Sequence, residues 1–272
     1  MPADVIGFVG IGNMGLPMAK NILASGRRVV AWSRSADECA AFAAAGGEVV
    51  ESLADIHHLP VVLSIVFDDG AVRDIVFGPG GLLHGLDSHA IHVNMETISP
   101  ALARQVTQAY AAKGIRHLTS PVFGPPQWAA ARELKFNCSG AREVYEQVEP
   151  VLAAMGRSHW FGPEPEQGLM VKLMGNNMIF TLMELVHEAF TLLGRCGIKE
   201  EEIKHMLIER LFQSPIMTRH AEYFAQNPGK PPPFSSNAIP RKDNALCMEL
   251  ATSLGVELPL VNIVSEMIRG SR

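Results

Sequence analysis

Short apolar runs separated by amphipathic stretches fill the first 165 residues. Val5-Ile6-Gly7-Phe8-Val9, Val29-Val30-Ala31-Trp32, Val61-Val62-Leu63-Ser64-Ile65-Val66 and Ala90-Ile91-His92-Val93 read as strands. So do a segment opening near His117 and Leu134-Lys135-Phe136-Asn137-Cys138. Residues 17–25 and 100–113 have the periodicity of helices. Strands alternating with helices imply parallel pairing, because each crossover must return over a sheet face. The runs are continuously apolar, which implies helices on both faces.

Beyond residue 165 only helical patterns follow. Residues 167–195 predict one long helix. From Met178 to Leu193 it is apolar on most of its circumference, with Thr181, Glu184, His187, Glu188 and Thr191 as its polar stripe. Such a helix is expected to be buried, inside a helical domain or against a second subunit. Further helices are predicted over 199–213, 215–226 and 242–254. Asn227-Pro228-Gly229-Lys230-Pro231-Pro232-Pro233 must be a loop. The predicted fold is α/β: a doubly wound parallel sheet over residues 1–165, an interdomain helix over 166–195 and an all-helical domain over 196–272.

Composition narrows the function. The 272 residues, 47% hydrophobic, suffice for one large core or two modest ones. The net charge is -5 with no basic run, which argues against nucleic acid as a partner. Cys39, Cys138, Cys196 and Cys247 are too widely spaced for a metal motif or a small disulfide framework, so reduced thiols and no bound metal are expected. Met1-Pro2-Ala3-Asp4 lacks the marks of a leader, and no apolar run reaches the roughly 18 residues of a membrane span. A cytoplasmic protein without membrane association is the expectation.

Gly10-Ile11-Gly12-Asn13-Met14-Gly15 is a GxGxxG motif between a predicted strand and a predicted helix, the context of a Rossmann-type dinucleotide site. Gly10 allows the tight turn, Gly12 the approach of a pyrophosphate and Gly15 close helix–strand packing. Free N–H groups near Asn13 and Met14 favour an anion. At the end of the second strand an acidic residue would bind the ribose hydroxyls of NAD. Trp32-Ser33-Arg34-Ser35 stands there instead, and Asp37 and Glu38 come later. Arg34 suits adenine stacking and a 2′-phosphate, and Ser33 and Ser35 suit donation to it, so NADP(H) is the expected cofactor. Arg34 read alone is equally an exposed surface arginine. Val66 and Phe67, at the end of the run opened by Val61, are further expected cofactor contacts.

Three features fall outside the nucleotide motif. Gly168, Lys172 and Asn176 share one face of the long helix. Lys172 among Leu169, Met170, Val171, Leu173 and Met174 is unusual, although a lysine that carries its ammonium out to water fits the same pattern. Thr119-Ser120-Pro121-Val122-Phe123-Gly124-Pro125-Pro126 should lie at the carboxyl edge of the sheet, where ligands bind. Arg241-Lys242-Asp243 opens a predicted helix and taken alone is ordinary end-of-helix charge.

In order along the chain, Gly7 to Ala19, Asn94-Met95-Glu96-Thr97-Ile98-Ser99-Pro100, Ser120-Pro121-Val122-Phe123-Gly124, Gly168-x3-Lys172-x3-Asn176 and Lys242-Asp243 resemble the β-hydroxyacid dehydrogenase family, which includes the 3-hydroxyisobutyrate dehydrogenases. The resemblance implies a Rossmann domain, a long interdomain helix, a helical C-terminal domain and a homodimer. It implies that Lys172 is the catalytic lysine, Asn176 a substrate contact, Thr97 a neighbour of the nicotinamide ribose and Lys242 a cofactor contact. Val122, Phe123 and Gly124 then form the substrate loop.

The chain departs from that family's pattern. The loop usually reads Pro-Val-Ser-Gly-Gly; here Phe123 replaces a serine, Pro125 and Pro126 remove backbone donors, and Trp128 and Arg132 stand where small residues are usual. Glu96 replaces a small residue beside Thr97, and the chain ends soon after Arg269, which predicts a short last helix. The expected activity is hydride transfer between NADPH and a carbonyl or hydroxy compound of lower polarity than a small β-hydroxy acid. Imine reduction is the near alternative, and a non-catalytic NADPH-binding protein the distant one.

Overall fold

The computed structural model describes residues 4–232 and 238–270. The strands β1 (Val5–Val9), β2 (Arg28–Trp32), β3 (Glu48–Val49), β4 (Val61–Ser64), β5 (Ile91–Asn94) and β6 (Arg116–Thr119) pair in parallel in the order β3-β2-β1-β4-β5-β6. The order reverses between β1 and β4, the switch point at which open sheets of this kind bind ligands.

The doubly wound parallel arrangement holds over these six strands and ends at the far edge. β7 (Val122–Phe123) and β8 (Leu134–Gly140) pair antiparallel, and β8 also runs antiparallel to β6. β9 (Gly156–Trp160) then returns parallel to β8. Only Ser120 and Pro121 separate β6 from β7, too little chain for a crossover over a sheet face.

Helices α1 (Gly15–Ala24), α2 (Ala36–Ala43), α3 (Asp69–Phe77), α4 (Leu82–Gly85), α5 (Pro100–Ala111), α6 (Pro126–Ala130) and α7 (Arg142–Leu152) cover the sheet on both sides. Alternate residues of β1 separate the two cores. Ile6 and Phe8 pack with Met18 and Ile22 of α1 and Val148 and Leu152 of α7; Val9 packs with Val72 and Val76 of α3 and Leu102 and Val106 of α5.

The chain divides into two compact units, Met1–Lys172 and Leu173–Arg272, with the boundary inside helix α8 (Gln167–Arg195). The second unit holds the rest of α8, α9 (Glu200–Ile203), a π-helical stretch over Lys204–Leu211, α10 (Pro215–Gln226), α11 (Ala238–Leu254) and α12 (Pro259–Arg269). Its core is Phe180, Met183, Val186 and Phe190 of α8 with Met217 and Phe224 of α10 and Val264 and Ile268 of α12.

Several helical expectations are corrected. The helix expected over 199–213 is one α-helical turn followed by wider i→i+5 bonding, seen where Phe212 N–H donates to the Leu207 carbonyl at 2.9 Å. The helix expected from 242 begins at Ala238, so Lys242 lies inside it. Pro233, the last residue of the predicted loop, lies outside the described residues, as does the Met1-Pro2-Ala3 opening. α8 is, by length and composition, apolar enough to cross a membrane, contrary to the expectation from sequence, although four of its large side chains serve the core just described. Its exposed side keeps Glu188 and Thr191 of the predicted polar stripe but also carries Met178 (56% exposed), Leu185 (54%) and Leu192 (66%), while Glu184 and His187 pair at 3.6 Å on a half-buried flank.

Candidate functional site

The glycine loop leads from β1 into α1. Gly10 has φ +93, a conformation that favours glycine, and a side chain there would strike the Ile65 carbonyl and Val66. Gly15 is sealed differently: a β-carbon would lie 1.9 Å from the Gly10 carbonyl oxygen, so α1 closes directly on the loop. Gly12 faces open space, with nothing within 4 Å of a β-carbon built there. Met14 caps α1 and offers no side-chain hydrogen bond to its first turn. An open glycine beside an uncapped helix start fits a pyrophosphate, with Asn13 and Met14 at the rim.

At the end of β2, Trp32 and the exposed Arg34 line a cavity of about 300 Å³ with Ala71 and Ile75 of α3, Glu51 and Asp74. The Ser33 hydroxyl donates to the Ile11 carbonyl at 3.5 Å, tying the strand end to the glycine loop. Asp37 and Glu38 follow in the first turn of α2. Ser35 caps α2, and its hydroxyl donates to the Glu38 carboxylate. The S-x-x-E spacing of a capping box carried that signal in the sequence. The hydroxyl next to Arg34 in the chain is thus engaged by a carboxylate of α2.

Lys172 is buried, with 9% of its surface exposed. Its Nζ lies 4.4 Å from the centroid of the Phe123 ring, a cation–π arrangement. The start of α8 is set by small residues: Gly168 lies against the Asn137 backbone, and its N–H donates to the Ser139 hydroxyl, which donates in turn to the Pro165 carbonyl. Phe123 is held by pairing with Lys135. Gly124, at φ +133, turns the chain into Pro125 and Pro126, which cap and begin α6. Trp128 packs on Gly124 and the core, and Arg132 donates to the Asn21 side chain of α1. Arg132 thus ties the loop to α1, and Trp128 ties it to the core.

Val66 and the half-exposed Phe67 follow β4, and Thr97 follows β5. Between them lies a buried polar chain that sequence reasoning missed. Glu96 accepts from the Val66 N–H at 3.1 Å and from the Asn94 amide. Ser64 reaches the Glu96 carboxyl and also the His92 ring at 2.8 Å, and His92 meets the Tyr110 hydroxyl at 3.1 Å. Burial pushes Glu96 up to about 7 and Tyr110 well above its usual range. It holds His92 well below the usual histidine range and His117 down to about 3. The only trace in the sequence was a carboxylate beside Thr97.

In the second unit the Asn176 amide donates to Asp243 at 2.5 Å, and Lys242 pairs with the other oxygen of that carboxylate at 3.2 Å. One residue on, the Asn244 amide donates to the Asn177 side-chain carbonyl at 2.8 Å. Two adjacent pairs thus pin α11 to α8. Among the described residues no group of three or more His, Cys, Asp or Glu could hold a metal, and all four cysteines are free.

The switch-point glycine loop and the cavity beside Arg34 define a dinucleotide-binding protein. Residues 5–163 match the family model for the NAD binding domain of 6-phosphogluconate dehydrogenase, and residues 167–271 the model for the NAD-binding domain of NADP-dependent 3-hydroxyisobutyrate dehydrogenase. The chain belongs to the β-hydroxyacid dehydrogenase family of NAD(P)-binding oxidoreductases. It is 27% identical over 268 residues to 2-(hydroxymethyl)glutarate dehydrogenase of Eubacterium barkeri, covering 98% of this chain and 89% of that protein. Its fold is shared with a 3-hydroxyisobutyrate dehydrogenase from Salmonella typhimurium (TM-score 0.85, 23% identity, 98% of this chain and 93% of that one). It is shared more loosely with a Streptomyces aurantiacus imine reductase (TM-score 0.68, 18% identity, 97% and 93%). At these identities the two structures speak to fold alone.

Proposed function

We propose that this chain is an NADP(H)-dependent reductase or dehydrogenase that interconverts a carbonyl compound and its alcohol, the substrate being less polar than a small β-hydroxy acid. The observation that carries this reading is the buried Lys172 ammonium against the Phe123 ring. Gly10, Gly12, Asn13, Met14 and Gly15 hold the pyrophosphate; Ser33 and Arg34 take the 2′-phosphate; Val66, Phe67 and Thr97 complete the cofactor site of the first unit. When bound, the cofactor supplies the hydride. Lys172 stabilises the negative charge that grows on the carbonyl oxygen and gives that oxygen its proton, leaving a neutral amine that is reprotonated from solvent. Val122, Phe123 and Gly124 form an apolar wall beside Lys172, and the family resemblance implies that Asn176 is a substrate contact.

A purified Lys172→Ala variant should bind NADPH normally and lose orders of magnitude in kcat; turnover near that of the parent protein overturns the assignment. The apolar ring at Phe123 favours imines as the second substrate class, so a panel of aldehydes, keto acids and cyclic imines with NADPH separates the two. The row of Met178, Leu185 and Leu192 supports a homodimer built on α8. Sedimentation should give twice the chain mass, reduced to one chain by Leu185→Glu. The protein is assigned to the cytoplasm, an assignment that cell fractionation tests.

A further inference from the structure

Glu96 is 2% exposed and Ser64, His92 and Tyr110 are fully enclosed, yet the four form one hydrogen-bonded line from the cofactor edge of the sheet into the domain. Packing does not need such a line, and an enclosed carboxyl is costly. Its outer end is informative. Glu96 follows β5 and grips the N–H of Val66, the second residue after β4. Val66 in turn lies against Gly10 of the nucleotide loop. The sheet reverses at β1 and β4, so a dinucleotide whose adenosine end rests by Arg34 at β2 carries its nicotinamide end over β4 and β5. Glu96 stands on that side.

We propose that Glu96 is a positioning residue whose carboxyl, fixed to the Val66 amide, gains or loses a proton as reduced cofactor replaces oxidised. This rests on the dinucleotide reading above. An ionised Glu96 favours the cationic oxidised ring; a protonated one favours the neutral reduced ring. The titratable groups linked to it are His92 of β5, through Ser64, and Tyr110 of α5, with His117 of β6 stacked on His92; the chain at the end of β4 contributes the Ser64 hydroxyl and the Val66 amide. Both histidines are held neutral by burial and Tyr110 is held protonated, so Glu96 is the member of the cluster that changes charge near neutral pH. The line through Ser64 to His92 spreads its hydrogen bonds without adding charge.

Calorimetric titrations of NADP⁺ and NADPH, each run in two buffers of different ionisation enthalpy at neutral pH, test this directly. NADP⁺ should release protons relative to NADPH, and the ratio of the NADPH Kd to the NADP⁺ Kd should rise about tenfold between about pH 6 and about pH 8. Glu96→Gln should remove both effects while binding both cofactors. Equal proton uptake by the two cofactors in the parent protein overturns the proposal, and so does a proton difference that survives in Glu96→Gln. The first measurement needs no variant, so a poorly folding substitution does not blunt the test. Failure of the folded parent protein to bind any nicotinamide dinucleotide overturns the functional reading itself and this proposal with it, a result distinct from binding without proton linkage.

Discussion

The Nζ of Lys172 faces the ring of Phe123 at 4.4 Å, so an aromatic side chain occupies the place where the family pattern has a serine. A ring quadrupole attracts the ammonium but does not accept its protons as a serine hydroxyl would, and in the proposed reaction Lys172 donates to a substrate oxygen. Phe123→Leu keeps the loop apolar and removes the ring. It should lower kcat by about tenfold, roughly the 1–2 kcal/mol of a desolvated cation–π contact, with cofactor Kd unchanged. Steady-state kinetics beside a cofactor titration decides this, and an unaltered kcat would show the ring to be passive.

Gly12 and Gly15 are separable. Gly15→Ala forces a β-carbon onto the Gly10 carbonyl, and the melting temperature should fall by several degrees. Gly12→Ala meets open space in the free protein, so stability should hold while dinucleotide affinity drops by at least about tenfold. Thermal melts and equilibrium binding on the two variants give the contrast; equal affinity losses at equal stability would contradict it.

The Glu38 carboxylate held by Ser35 opposes a 2′-phosphate beside Arg34. Glu38→Gln should therefore strengthen NADPH binding severalfold and leave NADH nearly unchanged, whereas Arg34→Ala should weaken NADPH selectively. Both preferences are read from paired Kd values, and an unmoved NADPH/NADH ratio in Arg34→Ala counts against the cofactor assignment.

Glu96 also leaves a mark on folding. Its folded value, about 7, lies above that of an unfolded glutamate, so the stability it confers is complete below the ordinary carboxylate range and is lost as pH rises through 7. His92 and His117 work in the opposite sense: burial lowers both, and their contribution is lost as pH falls below the usual histidine range. Glu96→Gln removes the first effect and keeps the second. Its stability relative to the parent protein should improve by about 3 kcal/mol from about pH 4.5 to about pH 8. Urea melts at both ends of that range measure the change, and a pH-independent difference would refute it.

Legibility from sequence followed the range of the interactions. Strands such as Val5–Val9 and helices such as Pro215–Gln226 rest on local patterns, and both were readable to the residue. The glycine loop was readable because Gly10 and Gly15 answer local steric demands and Gly12 completes the motif's spacing. The reversal at β7 and β8 depended on the two-residue gap at Ser120-Pro121, which a reading of apolar runs ignores. The Glu96 line joins β4, β5 and α5, and the Asn176–Asp243 bond joins residues 67 apart, so neither leaves a periodic trace.

The two neighbouring pairs, Asn176 with Asp243 and Asn177 with Asn244, act together as a vernier. A single bond would let α11 roll about its axis. Two consecutive ones admit a single phase, since a shift of one residue turns the helix by about 100° and breaks both. The direction in which Lys242 leaves α11 is therefore set by the Asp243 bond one residue away and the asparagine pair two residues away. Loops between the two helices can change length freely, provided the count within each doublet is preserved.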